Sequence, residues 1–127
     1  MKNIICYFIF LISLTTRAKT TAVDTTFNTK INTALSAIQR GERLSAAQQL
    51  LALSRSTDTP EYKAQAKYYF GSILMDLKLN QAASFQFVEV IRIGDAKWTK
   101  KAIEKLIVAT DNLGDETLLN FAIQRVD

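Results

Sequence analysis

Residues 67–91 read KYYFGSILMDLKLNQAASFQFVEVI. Within this stretch Tyr69, Phe70, Ile73, Leu74 and Leu77 recur at helical spacing, and Ala83, Phe87, Val90 and Ile91 do so again. Leu79-Asn80 reads as a tight turn between two helices, and a short connection makes such neighbours antiparallel. Gly71, Ala83 and Phe87 stand 12 and then 4 residues apart. Small residues at the first two positions let the helices of the pair approach closely. The phenyl ring of the third fills the space beside them.

The same layout extends in both directions. At a spacing of 36 residues, Leu35, Gly71 and Ile107 fall in register, as do Ala47, Ala83 and Leu119, and Leu51, Phe87 and Ile123. A fixed period of this size is the mark of stacked units, each burying its apolar face on the next. The first helix carries Phe27, Ile31, Ala34, Leu35 and Ile38 and stops at Gly41. Ser45 with Gln48 forms a capping-box pair that starts the second helix, whose apolar face is Ala47, Leu50, Leu51 and Leu53. Thr59 caps the third helix and Pro60 occupies its first turn. Gly94 closes the fourth. Asp95 caps a fifth helix bearing Trp98, Ala102, Ile103, Leu106 and Ile107. Leu113-Gly114 ends it, and Asp115 caps a sixth with Leu118, Leu119, Ala122, Ile123 and Val126. No segment alternates strictly, and proline occurs once. The expected fold is all-α, three antiparallel helix pairs. A six-helix bundle whose repetition is fortuitous is the competing arrangement.

Gly71, Ala83 and Phe87 give the middle pair a resemblance to the tetratricopeptide repeat, and the Leu113-Gly114-Asp115 turn resembles that family's inter-helix turn. The outer pairs keep the spacing with larger residues, and the period exceeds the family's usual one. The resemblance implies a short right-handed solenoid that binds a protein segment in a groove lined by the first helix of each pair. Carried over by register, the groove positions are Asn32, Ser36 and Gln39, then Tyr68, Ser72 and Met75, then Lys101, Glu104 and Val108. The carboxylate clamp of chaperone-binding members is matched only in its third-repeat part, by Lys101 and Lys105.

The N-terminal stretch has a different character. Lys2 precedes 11 residues, Ile4 to Leu14, that are almost wholly apolar, and small and polar residues follow. This is the layout of a secretory signal peptide over residues 1–22, leaving 23–127 as the helical domain. Cleavage fits after Ala22 or after Ala18. The run is short of the roughly 20 residues of a membrane-spanning helix, which disfavours an uncleaved anchor. Export to the periplasm or envelope of a Gram-negative bacterium is the expected destination.

Removing residues 1–22 changes the charge. The chain carries 16 basic and 12 acidic side chains, a net of +4. The segment takes Lys2, Arg17 and Lys19 and no acid, so 23–127 keeps 13 basic and 12 acidic groups. Its net of +1 gives no electrostatic support for a nucleic-acid partner. Cys6, the sole cysteine, leaves with the segment, and the chain has no histidine. The usual neutral-pH base, thiol nucleophile and metal ligands are therefore missing, and no catalytic residue, metal or cofactor is expected. Asp111, Asp115 and Glu116 cluster at a turn, where carboxylates ordinarily cap a helix. Lys97, Lys101 and Lys105 form a stripe four residues apart. Such a stripe is either solvated surface or a patch for an acidic segment or anionic lipid.

The sixth helix is apolar over a wide arc, and the sequence stops at Asp127 with no polar closing helix. Leu118, Phe121, Ala122 and Val126 are therefore candidates for a homodimer or partner interface. The sequence thus points to an exported adaptor that holds a protein segment in a groove. Its alternative is an accessory subunit of an envelope complex, held through the last helix.

Overall fold

The structure, a computed structural model, describes residues 24–125. The signal-peptide reading of residues 1–22 and the interface position Val126 lie outside that range. The described residues form six helices: α1 over residues 24–39, α2 Arg43–Ser56, α3 Pro60–Asp76, α4 Asn80–Ile93, α5 Ala96–Leu113 and α6 Glu116–Ile123. No strand occurs among them. No helix among the described residues is long and apolar enough to cross a membrane.

The turns inside the pairs are built alike. After α1, Gly41 takes a left-handed φ of 79°, its N–H donates to Ile38 O, and the next N–H, of Glu42, donates to Ala37 O. This double bond to the last turn satisfies carbonyls that the helix end would leave unpaired. Gly114 repeats it after α5, with the N–H groups of Gly114 and Asp115 donating to Asp111 O and Thr110 O. After α3 the same position is Lys78, at φ 65°, and the N–H groups of Lys78 and Leu79 donate to Met75 O and Leu74 O. The α3–α4 turn is therefore centred on Lys78, and Asn80 is already the first residue of α4.

Helix starts follow the expected signals in part. Asp95 Oδ1 accepts from Trp98 N, and Asp115 Oδ1 accepts from Leu118 N, so both caps form as read. Pro60 opens α3 behind Thr59, whose hydroxyl makes no capping bond. The Ser45–Gln48 capping box does not form. Helix α2 begins two residues earlier, behind Glu42, and Ser45 Oγ instead accepts from Gln49 Nε2 within the helix. The preceding turn ends at Glu42, so helical geometry begins before the serine is reached.

The spacing between units also needs correction. Helices α2, α4 and α6 start at Arg43, Asn80 and Glu116, 37 and then 36 residues apart. The buried set of α2 is Ala46, Ala47, Leu50, Leu53 and Ser54, and that of α4 is Ala83, Ser84, Phe87, Val90 and Ile91. Every member of the second set lies 37 residues after its counterpart. The equivalents of Gly71, Ala83 and Phe87 in the first pair are thus Ala34, Ala46 and Leu50, all wholly buried. Leu35 and Leu51, in register at 36, are only partly buried. The first pair therefore has a small residue where Leu35 was read.

At Gly71 the close approach is present. A Cβ there would lie 2.8 Å from Phe87 Cε1 and 3.2 Å from Gln86 Cβ. Each helix from α2 onward packs on its successor, and α3 also touches α5. Two core clusters result. One joins α1 and α2 to Ala66 and Ile73 of α3. The other joins Ala64 and Leu74 of α3 to α4, α5 and Ala122 of α6. Tyr69 and Phe70 touch both clusters, so α3 is the spine on which the halves meet.

Candidate functional site

The first helices of the three pairs contribute to one cleft. It has a volume of about 400 Å³ and is lined by Leu35, Ile38 and Gln39 of α1, Tyr68, Tyr69, Ser72, Ile73 and Asp76 of α3, and Lys105 of α5. Its α1 wall is apolar because α1 buries Phe27, Ile31, Ala34 and Ala37, which leaves the neighbouring Leu35 and Ile38 half exposed beside α3. Asp76 and Lys105 add opposite charges without forming an ion pair with each other. The ion pairs among the described residues are Arg40–Glu42 and Arg92–Glu89.

Three of the nine groove positions read from the sequence meet here: Gln39, Tyr68 and Ser72. Asn32 and Ser36 do not line the cleft. Asn32 is exposed, and its backbone carbonyl accepts from Ser36 Oγ at 2.8 Å. On α1 the lining is Leu35, Ile38 and Gln39, and Leu35 is the residue that matches Ser72 at the 37-residue spacing of the buried sets. Met75 is half-buried and packs on the core cluster of α3, α4 and α5. Val108 is exposed, outside the cleft lining. Glu104 lines a different cleft of about 350 Å³, together with Thr99, Lys100, Ile103 and Arg125. Lys101 lies beside the cleft's aromatic wall, and it is Lys105 that reaches the lining. Leu35, Ile38, Tyr69, Ile73 and Asp76 are lining residues that the 36-residue register missed. The 37-residue register brings out Leu35 and Ile38.

Tyr68 links this cleft to α5. Its ring centroid lies 5.4 Å from that of Tyr69, 6.0 Å from Phe87 and 5.3 Å from Trp98. Tyr69 is edge-on to Trp98 at 5.6 Å. Tilted and edge-on rings at these separations attract through their quadrupoles as well as through buried area. Burial pushes the Tyr68 phenol above the usual tyrosine value; Ser72 acts against that shift, and Tyr69 and the Glu104 charge add to it. At neutral pH Tyr68 is thus a protonated hydroxyl that can donate. Ser72 Oγ donates to the backbone carbonyl of Tyr68 at 3.0 Å, which leaves its oxygen to accept.

Two cations flank the same aromatic wall. Lys97 Nζ lies 5.1 Å, and Lys101 Nζ 4.9 Å, from the centroid of the Trp98 ring. Trp98 is buried, and its indole N–H has no hydrogen-bond partner among the described residues.

At the C-terminal candidate surface, Ala122 is wholly buried and cannot present itself to a partner. Leu118 and Phe121 are half-buried and pack on the same core cluster. The outward apolar side chain of α6 is Ile123, which is 47% exposed. Helical geometry explains the exchange: Leu118 and Ala122 are four apart on the face toward the core, and Ile123 is rotated about 100° past Ala122.

Among the described residues no group of three or more Asp, Glu, His or Cys side chains is placed to hold a metal ion. Comparison with known proteins finds no family model, no curated protein and no solved structure that matches this chain.

Proposed function

We propose that this chain is a protein-binding module of tetratricopeptide-like design that holds a segment of another protein in the cleft across α1, α3 and α5. The observation that carries the reading is the cleft itself. Half-exposed Leu35 and Ile38 face Tyr68 and Ser72 across about 400 Å³, with Gln39, Asp76 and Lys105 supplying polar groups. An apolar floor with a few placed polar groups is what a short extended segment needs. Support for the tetratricopeptide-like stacking comes from the equivalent buried sets of α2 and α4 and from the contact of α3 with α5. We read residues 1–22 as an export signal and place the module in the bacterial envelope, where it serves as an adaptor. It has no catalytic role.

The test is capture from the envelope fraction, with bound proteins read by mass spectrometry. Gln39→Arg, which fills the cleft from an exposed position, and Leu35→Ala should both lose the captured protein. Phe85→Ala, on α4 outside the cleft, should retain it. Equal capture by all of these variants would reject the reading.

A second reading rests on Ile123. Its counterparts by helix start, Leu50 and Phe87, are wholly buried, whereas Ile123 is 47% exposed. On this reading the module is an accessory subunit docked through α6, and Ile123→Asp abolishes capture while the cleft variants do not.

A further inference from the structure

The stripe of lysines on α5 is not absorbed by the apolar cleft, yet it adjoins it. Lys105 lines the cleft, and Lys101 and Lys97 follow at intervals of four residues toward the start of α5. None of the three makes an ion pair among the described residues. Two of their ammonium groups sit within about 5 Å of one Trp98 ring. The ring's negative face holds each cation, and the lysine stems cover the buried indole. Gathering like charges at one ring with no ion pair to either costs electrostatic energy that an incoming anion relieves. The acids beside the stripe are Asp95, two residues before Lys97 and bonded to the backbone N–H of Trp98, Glu104, next to Lys105, and Asp76, which shares the cleft lining with Lys105.

Spacing narrows the ligand further. Lysines four residues apart on a helix recur about every 6 Å along its axis. Alternate side chains of an extended segment recur about every 6.6 Å and point the same way. Three acidic side chains at alternate positions therefore match three lysines in step, to within about an ångström over the whole run.

We propose that Lys97, Lys101 and Lys105 bind an extended protein segment carrying Asp or Glu at alternate positions, continuous with the segment held in the cleft. This rests on the cleft reading given above and specifies its partner. The lysines supply charge complementarity and attraction over a Debye length of about 10 Å, and the cleft supplies the apolar contact.

Trp98 is the only tryptophan of the chain, so its emission reports on ammonium groups drawn off its ring. The experiment titrates the protein with three synthetic peptides of equal length. One has Glu at alternate positions with Leu between, one replaces every Glu by Gln, and one keeps the composition but groups the Glu residues in a block. The alternating Glu peptide should bind at least about tenfold more tightly than either of the others and weaken steeply with added salt. Lys101→Gln combined with Lys105→Gln should lower its affinity about tenfold, whereas Lys100→Gln, on the other cleft, should leave it unchanged. Equal binding of the three peptides, or no binding of the alternating peptide up to about 1 mM, overturns the proposal. So does binding to phosphatidylglycerol vesicles without binding to that peptide, which would assign the stripe to a lipid surface. If the peptides fail while Gln39→Arg still abolishes capture from the envelope fraction, the acidic partner falls and the cleft reading stands. If capture ignores Gln39→Arg, the cleft reading falls as well.

Discussion

Phe87 and Ile123 occupy the same place in their helices, seven residues after the start of α4 and of α6, yet the first is wholly buried and the second is 47% exposed. The difference is what lies beyond. Helix α5 packs over α4, whereas no described helix follows α6. An apolar residue at a repeated position is thus a core residue or a surface residue according to its neighbour. Its own helix does not decide the matter.

The most direct way to break this comparison is to truncate both residues. Phe87→Ala should cost about 3–5 kcal/mol, because it opens a cavity under α5 and beside Gly71. Ile123→Ala should cost about 1 kcal/mol or less, since solvent already reaches the side chain. Urea denaturation of each variant gives the two values, and similar costs would mean that α6 is covered in solution. Next in size is Gly71→Ala. Alanine favours a helix, but its Cβ would stand 2.8 Å from the wholly buried Phe87 ring. We expect a net loss of about 1–3 kcal/mol, partly recovered in the double variant with Phe87→Leu. At Ile107, the corresponding position of the last pair by helix start, Ile107→Ala should show no such coupling to Ile123→Ala.

Smaller effects sharpen the comparison at the helix ends. Asp95→Ala and Asp115→Ala each remove a carboxylate that accepts a backbone N–H and should cost about 1 kcal/mol, whereas Ser45→Ala, which breaks no cap, should cost less. Lys78→Gly should stabilise the protein by up to about 1 kcal/mol, since it relieves a left-handed φ at the one intra-pair turn that lacks glycine. Thermal denaturation of the variants ranks these.

The smallest effect is one of pH. Tyr62 stacks on Phe27 at 4.1 Å and donates to Asp24 Oδ1 at 2.6 Å, tying the start of α1 to the start of α3. The hydrogen bond to Asp24, followed by burial and the Asp24 and Glu61 charges, raises the Tyr62 pKa. The folded state thus favours the neutral phenol. That contribution is complete below the unfolded tyrosine pKa of about 10 and is lost as pH rises through the higher folded value. Melting temperature should therefore fall more steeply above pH ~10 in the native chain than in Tyr62→Phe.

Much of the fold was legible because the signals are local. Gly41, Gly94 and Gly114 mark helix ends where a positive φ is needed, and Asp95 and Asp115 cap as their positions suggest. Lys78 was not legible as a turn residue, since nothing in a lysine announces a left-handed backbone. Ser45 misled for the opposite reason: the capping pattern is present, but the turn before it had already started the helix. Part of the candidate site was legible too. Tyr68, Ser72 and Gln39 line the cleft, while Asn32, Ser36, Met75 and Val108 do not. In α1 the match to Ser72 shifts by one residue, about 100° of helix rotation, from Ser36 at a 36-residue register to Leu35 at 37.

Period, capping and apolar spacing act within a few residues along the chain. The sequence by itself therefore determined that this protein is helical, where most helices stop, and that Gly71, Ala83 and Phe87 form a close-packed pair. Which residues are in register between pairs depends on how one helix seats on another, and that is decided by packing over distances the local pattern does not sense. Only the tertiary structure could show that Ala34, Ala46 and Leu50 repeat the middle pair, that Leu35 and Ile38 wall a cleft with Tyr68, and that Ala122 is buried while Ile123 faces out.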